Sequence, residues 1–210
     1  MIAMRESVKI YGRTLLVLAL VLALTPACIT EPDTVTNDAS NVLLQIVSMA
    51  GQPVDDQGPG TTATDLFSDV CFGTTGACSV FNDNGVVTIR AFPKDRSQPS
   101  NDINAVTIER YRVTYIRADG RNVAGTDVPY PFDGVANFTV SVSGEEVVRG
   151  FVVVRHQAKT ESPLREIRAD ITAILSVIAQ IDFYGHDGAG RPISVTGYLN
   201  ITFADFANAP

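Results

Sequence analysis

The chain has no tryptophan, only two histidines and three cysteines among its 210 residues, and each scarcity removes a class of function. A structural zinc site needs about four clustered cysteine or histidine ligands, and no second cysteine pair or nearby histidine completes such a set. The Cys-x-x-Cys spacing of redox catalysts is missing. So is the Gly-x-Ser-x-Gly elbow of serine hydrolases. Gly188-Ala-Gly190 lacks the Lys-Ser/Thr pair and the following helix of a phosphate cradle. Basic residues are the minority, 16 against 23 acidic, for a net charge of −7. Nucleic acid and anionic membrane surfaces are recognised through basic patches, so neither is an expected partner. His186, beside Asp187 and four residues after Asp182, has too few ligands at too poor a spacing for a metal. His156 closes an apolar strand and reads as structural or surface. No catalytic set emerges, so the expectation is a protein that is not an enzyme and needs no cofactor or metal.

What the chain does have begins at its N-terminus. Arg5, Lys9 and Arg13 precede an uncharged apolar run over residues 14–24. A bilayer core needs about 20 helical apolar residues, so this run is too short to span. It matches the central region of an export signal, roughly 7–15 residues behind a positive start. A core helix with one side in water would carry a polar face, and this run at the N-terminus has none. Leu24, Thr25, Pro26, Ala27 and Cys28 follow. This segment resembles the signal of a bacterial lipoprotein, in which a short lipobox precedes a cysteine that is diacylated and becomes the new N-terminus. The resemblance covers residues 1–28 only. It implies lipid on Cys28, a membrane partner through that lipid, and residence in the bacterial cell envelope. Ile29 is not the aspartate associated with inner-membrane retention, which points to the outer membrane in a Gram-negative cell. Thr25 and Ala27 also satisfy an Ala-x-Ala-like cleavage site, which would give the same mature start without lipid. Loss of residues 1–27 removes three basic groups and one acidic group, leaving −9.

Assigning Cys28 to lipid leaves an even pair, Cys71 and Cys78. Export to an oxidising compartment makes them an expected disulfide. Closing the eight-residue ring stabilises the fold by roughly 2.5 kcal/mol in the chain-entropy account, less any strain. Residues 28–40 are polar, acidic and aperiodic after the cysteine, and read as a flexible tether. About twelve such residues reach at most ~40 Å.

Residues 41–210 read as strands separated by turns. The nearly continuous apolar run at 42–49 predicts a strand buried on both faces. Asn82-Asp-Asn-Gly85 predicts a turn before a strand at 86–92. In 105–116 the alternation changes phase. Val106 and Ile108 share one parity, whereas Tyr111, Val113 and Tyr115 share the other. An unbroken strand would put these sets on opposite faces, so either a bulge near Glu109 and Arg110 or a change of sheet is required. Arg110 and Arg112 then face solvent beside the tyrosines. Strands are also expected at 136–142 and 147–158. Ser162 and Pro163 predict the cap and first position of a short helix. Val177, Ala179, Ile181 and Phe183 make one apolar row. Ile193, Val195, Leu199, Ile201 and Phe203 make another, with Gly197 as a kink and 185–191 as the hairpin loop between.

About eight or nine strands with almost no helix predict an all-β, antiparallel two-sheet sandwich. Its spacing resembles immunoglobulin-like domains in architecture only, because the tryptophan and the sheet-bridging cysteine pair are missing. The expected function is that of a lipid-anchored, non-enzymatic envelope protein presenting this sandwich to a protein partner or serving structurally. The alternative is a carbohydrate- or calcium-binding module using acidic loops such as Asp55-Asp56 and exposed tyrosines.

Overall fold

A computed structural model describes residues 40–52, 64–73, 78–95, 97, 105–168, 170 and 172–206. The expected export signal, Cys28, the tether through residue 39, and Asp55 and Asp56 lie outside the described residues. Among the described residues there are eight strands: β1 (Val42–Gln52), β2 (Asp65–Asp69), β3 (Asp83–Pro93), β4 (Val106–Ile116), β5 (Phe132–Val140), β6 (Val147–Val154), β7 (Leu175–His186) and β8 (Pro192–Ala204). They form a three-stranded sheet in the order β1-β3-β6 and a five-stranded sheet in the order β2-β8-β7-β4-β5. The all-β, two-sheet architecture is as expected. The pairing departs from it once, since β2 runs parallel to β8 while the other ladders are antiparallel. No hairpin joins β2 to β8, so no tight turn forces opposite directions on them.

The phase change in β4 is a bulge. The register against both β5 and β7 shifts between Ile108 and Arg110, leaving Glu109 out of step. Val106, Ile108, Tyr111, Val113 and Tyr115 are therefore all buried on one face. The apolar rows of β7 and β8 also face inward. Against them pack Leu44, Val87, Ile89 and Ala91 from β1 and β3, all part of one core cluster.

Other local expectations yield to tertiary packing. β1 is not buried on both faces; Leu43 and Val47 are 47% and 40% exposed, because only one face of the smaller sheet is covered. The Asn-Asp-Asn-Gly turn is absent, and β3 already begins at Asp83. Asp83 is held inside by ionic and hydrogen bonds, while a side chain on Gly85 would meet Val153 Cγ2 at 2.6 Å. Gly197 does not kink β8. It pairs in register with Ile181, and Met49 and Ile46 from the opposing sheet fill the space over it. Ser162 does not cap the one-turn helix Leu164–Ile167; Pro163 holds that position, and the Ser162 side chain bonds Glu166 instead. Cys71 and Cys78 are joined as a disulfide, their Cα atoms 5.2 Å apart, next to a bridge between Phe72 and Ser79.

The bulge depends on a close approach. Gly185 lies opposite Ile108, and the Thr107 carbonyl oxygen occupies the place its Cβ would take. That neighbour is backbone and cannot swing aside. Gly185→Ala is expected to lower stability by about 2–3 kcal/mol, read as a fall in the urea unfolding midpoint with an unchanged slope.

Candidate functional site

The two sheets approach each other closely on the side of β1, where Leu66 covers Gly51 and Met49 covers Gly197. On the other side the edge strands β5 and β6 bound a cleft of about 280 Å³. It is lined by Asn82, Tyr111, Phe132, Asp133, Gly134, Val152, Arg155, His156 and Gln157. Tyr111 reaches it because Gly134 has no side chain and the phenol lies directly over its Cα. The Tyr111 hydroxyl accepts a hydrogen bond from the Val152 N–H at 3.2 Å. Deeper in, the Tyr115 hydroxyl donates to the Val153 carbonyl at 2.7 Å. Val153 is the residue skipped where the β3–β6 register shifts, so this bond satisfies a carbonyl at the irregularity. Both tyrosines thus tie the larger sheet to β6. Burial pushes both phenols to higher pKa, which keeps them neutral hydrogen-bonding groups.

Arg155 follows the last residue of β6 and turns back over the cleft. Its guanidinium carbon stacks 4.6 Å from the centre of the Phe132 ring. Its Nε is buried without an acceptor. Among the described residues no carboxylate comes within ion-pairing distance of it. A buried donor left unsatisfied costs about 1–3 kcal/mol. The carboxylate at the cleft mouth, Asp133, is engaged 3.0 Å from Arg112. His156 donates its backbone N–H to the Asn82 side-chain oxygen at 2.7 Å, and its ring Nδ1 lies 3.1 Å from the same atom. The arrangement offers an under-partnered cation above apolar walls, which suits binding of an anion.

A second ionic group is sealed inside. Lys159 belongs to the 3₁₀ turn Ala158–Thr160 and is 2% exposed. Its ammonium donates to Asp83 Oδ1 and to the Asp69 carbonyl, both at 2.8 Å. The Ser68 hydroxyl donates to Asp83 Oδ2 at 2.5 Å. Burial raises the Asp83 pKa, while the charge and hydrogen bond of Lys159 pull it down. This cluster links β2, β3 and the turn after β6, and its role is architectural.

The histidine loop singled out from sequence is also architectural. Asp187 is 1% exposed. It accepts from the Ser40 hydroxyl at 2.8 Å, from the Ala189 and Arg191 N–H groups at 3.0 Å, and from Arg191 Nε at 2.9 Å. Burial opposes its charge, but these donors outweigh it and hold its pKa below the usual carboxylate range. His186 instead faces Glu109 at 3.4 Å, and Asp182 accepts from Gln180 and Thr196. Among the described residues no three histidine, cysteine, aspartate or glutamate side chains gather as a metal site. Arg110 stacks 4.1 Å over Tyr184. Tyr111 and Tyr115 are 4% and 2% exposed, so neither serves as an exposed tyrosine for the ligand-binding alternative. Arg155, Lys159 and Asp83 were not singled out by sequence. The available hint was a charged residue closing the apolar run 151–154, a weak signal because strand ends commonly carry charge.

No family model matches the chain, and no curated protein matches it. Among solved structures it is similar to a Bordetella pertussis protein whose crystal structure carries the name ApaA, with 12% identity and a TM-score of 0.37. That alignment covers 81% of this chain and 99% of the other. A likeness of that score carries no argument about activity.

Two stability experiments test the ionic clusters. Lys159→Met leaves Asp83 buried without its cation and is expected to cost about 3–5 kcal/mol, whereas Lys159→Met with Asp83→Leu recovers most of the loss. Asp187→Ala is expected to cost about 3 kcal/mol near neutral pH by orphaning several donors. Because the folded-state pKa of Asp187 is depressed, its contribution is full above the ordinary value of 3.8 and is lost as pH falls through the lower one. The gap between wild type and Asp187→Ala in urea midpoint should therefore narrow below that pH.

Proposed function

We propose that the chain is a lipid-anchored protein of the bacterial cell envelope, without enzymatic activity, that presents an immunoglobulin-like β-sandwich to a protein partner. The carrying observation is the Cys71–Cys78 disulfide, because such bonds persist in oxidising, exported settings and are rare in the cytosol. It agrees with the charge and apolar pattern of residues 1–28. Ser40, twelve residues after the expected attachment point at Cys28, is buried and bonded to Asp187, so the chain is part of the folded body at that position. Exposed aromatic pairs support a partner-facing role. Phe72 meets Phe81 edge-on, and Phe67 meets Phe206, all four at least 40% exposed. Aromatic side chains are enriched at protein interfaces.

The alternative, a ligand-binding module, draws its support from the cleft at Arg155 rather than from calcium-binding loops or exposed tyrosines. The anchoring reading is tested by fractionating cells that express the full chain. The protein should stay with membranes through a high-salt wash and enter detergent, and Cys28→Ser should release it to the soluble fraction. Release of the wild type by salt, or equal membrane retention of Cys28→Ser, overturns it. Crosslinking in intact cells should recover a discrete envelope protein partner.

A further inference from the structure

We propose that the cleft between β5 and β6 is a carboxylate-binding site in which Arg155 receives the acid. The inference is independent of how the protein is anchored. Arg155 has no anionic partner among the described residues, yet its Nε is withdrawn from water. Arg90, Arg110 and Arg149 also stack on rings without an ion pair among the described residues, but only Arg155 has a buried nitrogen left without an acceptor there. The neighbouring Asp133 is already taken by Arg112, so it does not neutralise the cleft.

The choice of anion follows from shape and charge. A guanidinium is planar and presents its N–H groups as a fork that matches the two oxygens of a carboxylate. Phe132 covers one face of Arg155, which leaves edge-on approach of a flat acid. Among the described residues the cleft lining supplies a single arginine, which suits a singly charged acid better than a phosphate, whose greater charge calls for several cations. Val152, Tyr111 and Phe132 provide apolar surface for the body of the ligand. At about 280 Å³, the space admits the volume of roughly nine water molecules. That is room for a small aromatic or aliphatic acid, or for one acidic side chain.

The test is titration of the full chain in detergent with benzoate, with its neutral counterpart benzamide, and with a blocked glutamate-containing peptide, followed by calorimetry. Benzoate should bind saturably, and benzamide at least about tenfold more weakly, a difference of about 1.4 kcal/mol. Arg155→Gln should abolish the preference for the charged ligand, and Arg155→Lys should weaken benzoate binding by removing the fork. Asp133→Asn, a substitution at an exposed position, releases Arg112 as a second cation at the cleft mouth and should tighten it, an effect that a purely structural role for the cleft does not produce. Tighter binding of the peptide than of benzoate assigns the acid to a protein partner; the reverse assigns it to a small molecule. Saturable binding of neither acid, equal binding of benzoate and benzamide, or unchanged benzoate affinity in a folded Arg155→Gln overturns the proposal. Should Arg155→Gln not fold, the benzamide comparison and Asp133→Asn decide it.

Discussion

One residue out of step in β4 holds the two sheets in their working relation. Because strand side chains alternate, Ile108 and Tyr111 can share the buried face only if the ladder skips a position, and Glu109 is that position. The skip is made twice in parallel, against β5 and against β7, so both neighbours follow the same correction. It requires the Thr107 carbonyl to sit against Gly185, where no other side chain has room. From there the consequences run outward. Tyr111 and Tyr115 point into the sandwich, and each phenol ends on the backbone of β6. The smaller sheet is thereby pinned to the larger one by hydrogen bonds as well as by apolar contact.

The same arrangement decides where the molecule is closed and where it is open. On the β1 side, glycines let opposing side chains lie directly on the backbone, at Gly51 beneath Leu66 and at Gly197 beneath Met49. On the β5–β6 side the large rings of Tyr111 and Phe132 prop the edges apart, and a cleft remains. Two cations after β6 meet opposite fates within five positions. Lys159 is drawn inside and matched by Asp83, Ser68 and the Asp69 carbonyl, so its desolvation is compensated. Arg155 is covered by a ring and given no carboxylate among the described residues. A matched buried charge is a structural joint, and an unmatched one is poised for a ligand.

Strand identity was legible wherever one face is apolar and the pattern has period two. The rows Val177–Ala179–Ile181–Phe183 and Leu199–Ile201–Phe203 needed no tertiary information; in β4 the break in phase was readable from parity, while the pairing with β5 and β7 chose a bulge over a change of sheet. The disulfide was an expectation from cysteine spacing and from the expected export of the chain. Errors fell where two local rules competed with a distant contact. Asn82-Asp-Asn-Gly85 has turn chemistry, but the Lys159 ammonium, far along the chain, draws Asp83 into a strand. Leu43 and Val47 are apolar yet exposed, because the number of covered sheet faces is not written in a single strand. Asp187 is bound by its own hairpin loop and also by Ser40, a contact too far away in sequence for any local pattern to show.

The sequence by itself therefore determined the β class, the inward rows and a break in phase near Glu109 that either a bulge or a change of sheet must absorb. Each of these follows from covalent geometry or from side-chain period, which act between neighbours. Tertiary structure alone decided which charges are buried and matched, that β2 joins β8 in parallel, and that Arg155 stands over an open cleft. Those outcomes depend on which distant backbone or side chain arrives alongside, and no local pattern encodes that arrival. The cleft is the clearest case, since its walls come from β4, β5, β6 and the residues flanking β3 and β6, and none is unusual in its own stretch of chain.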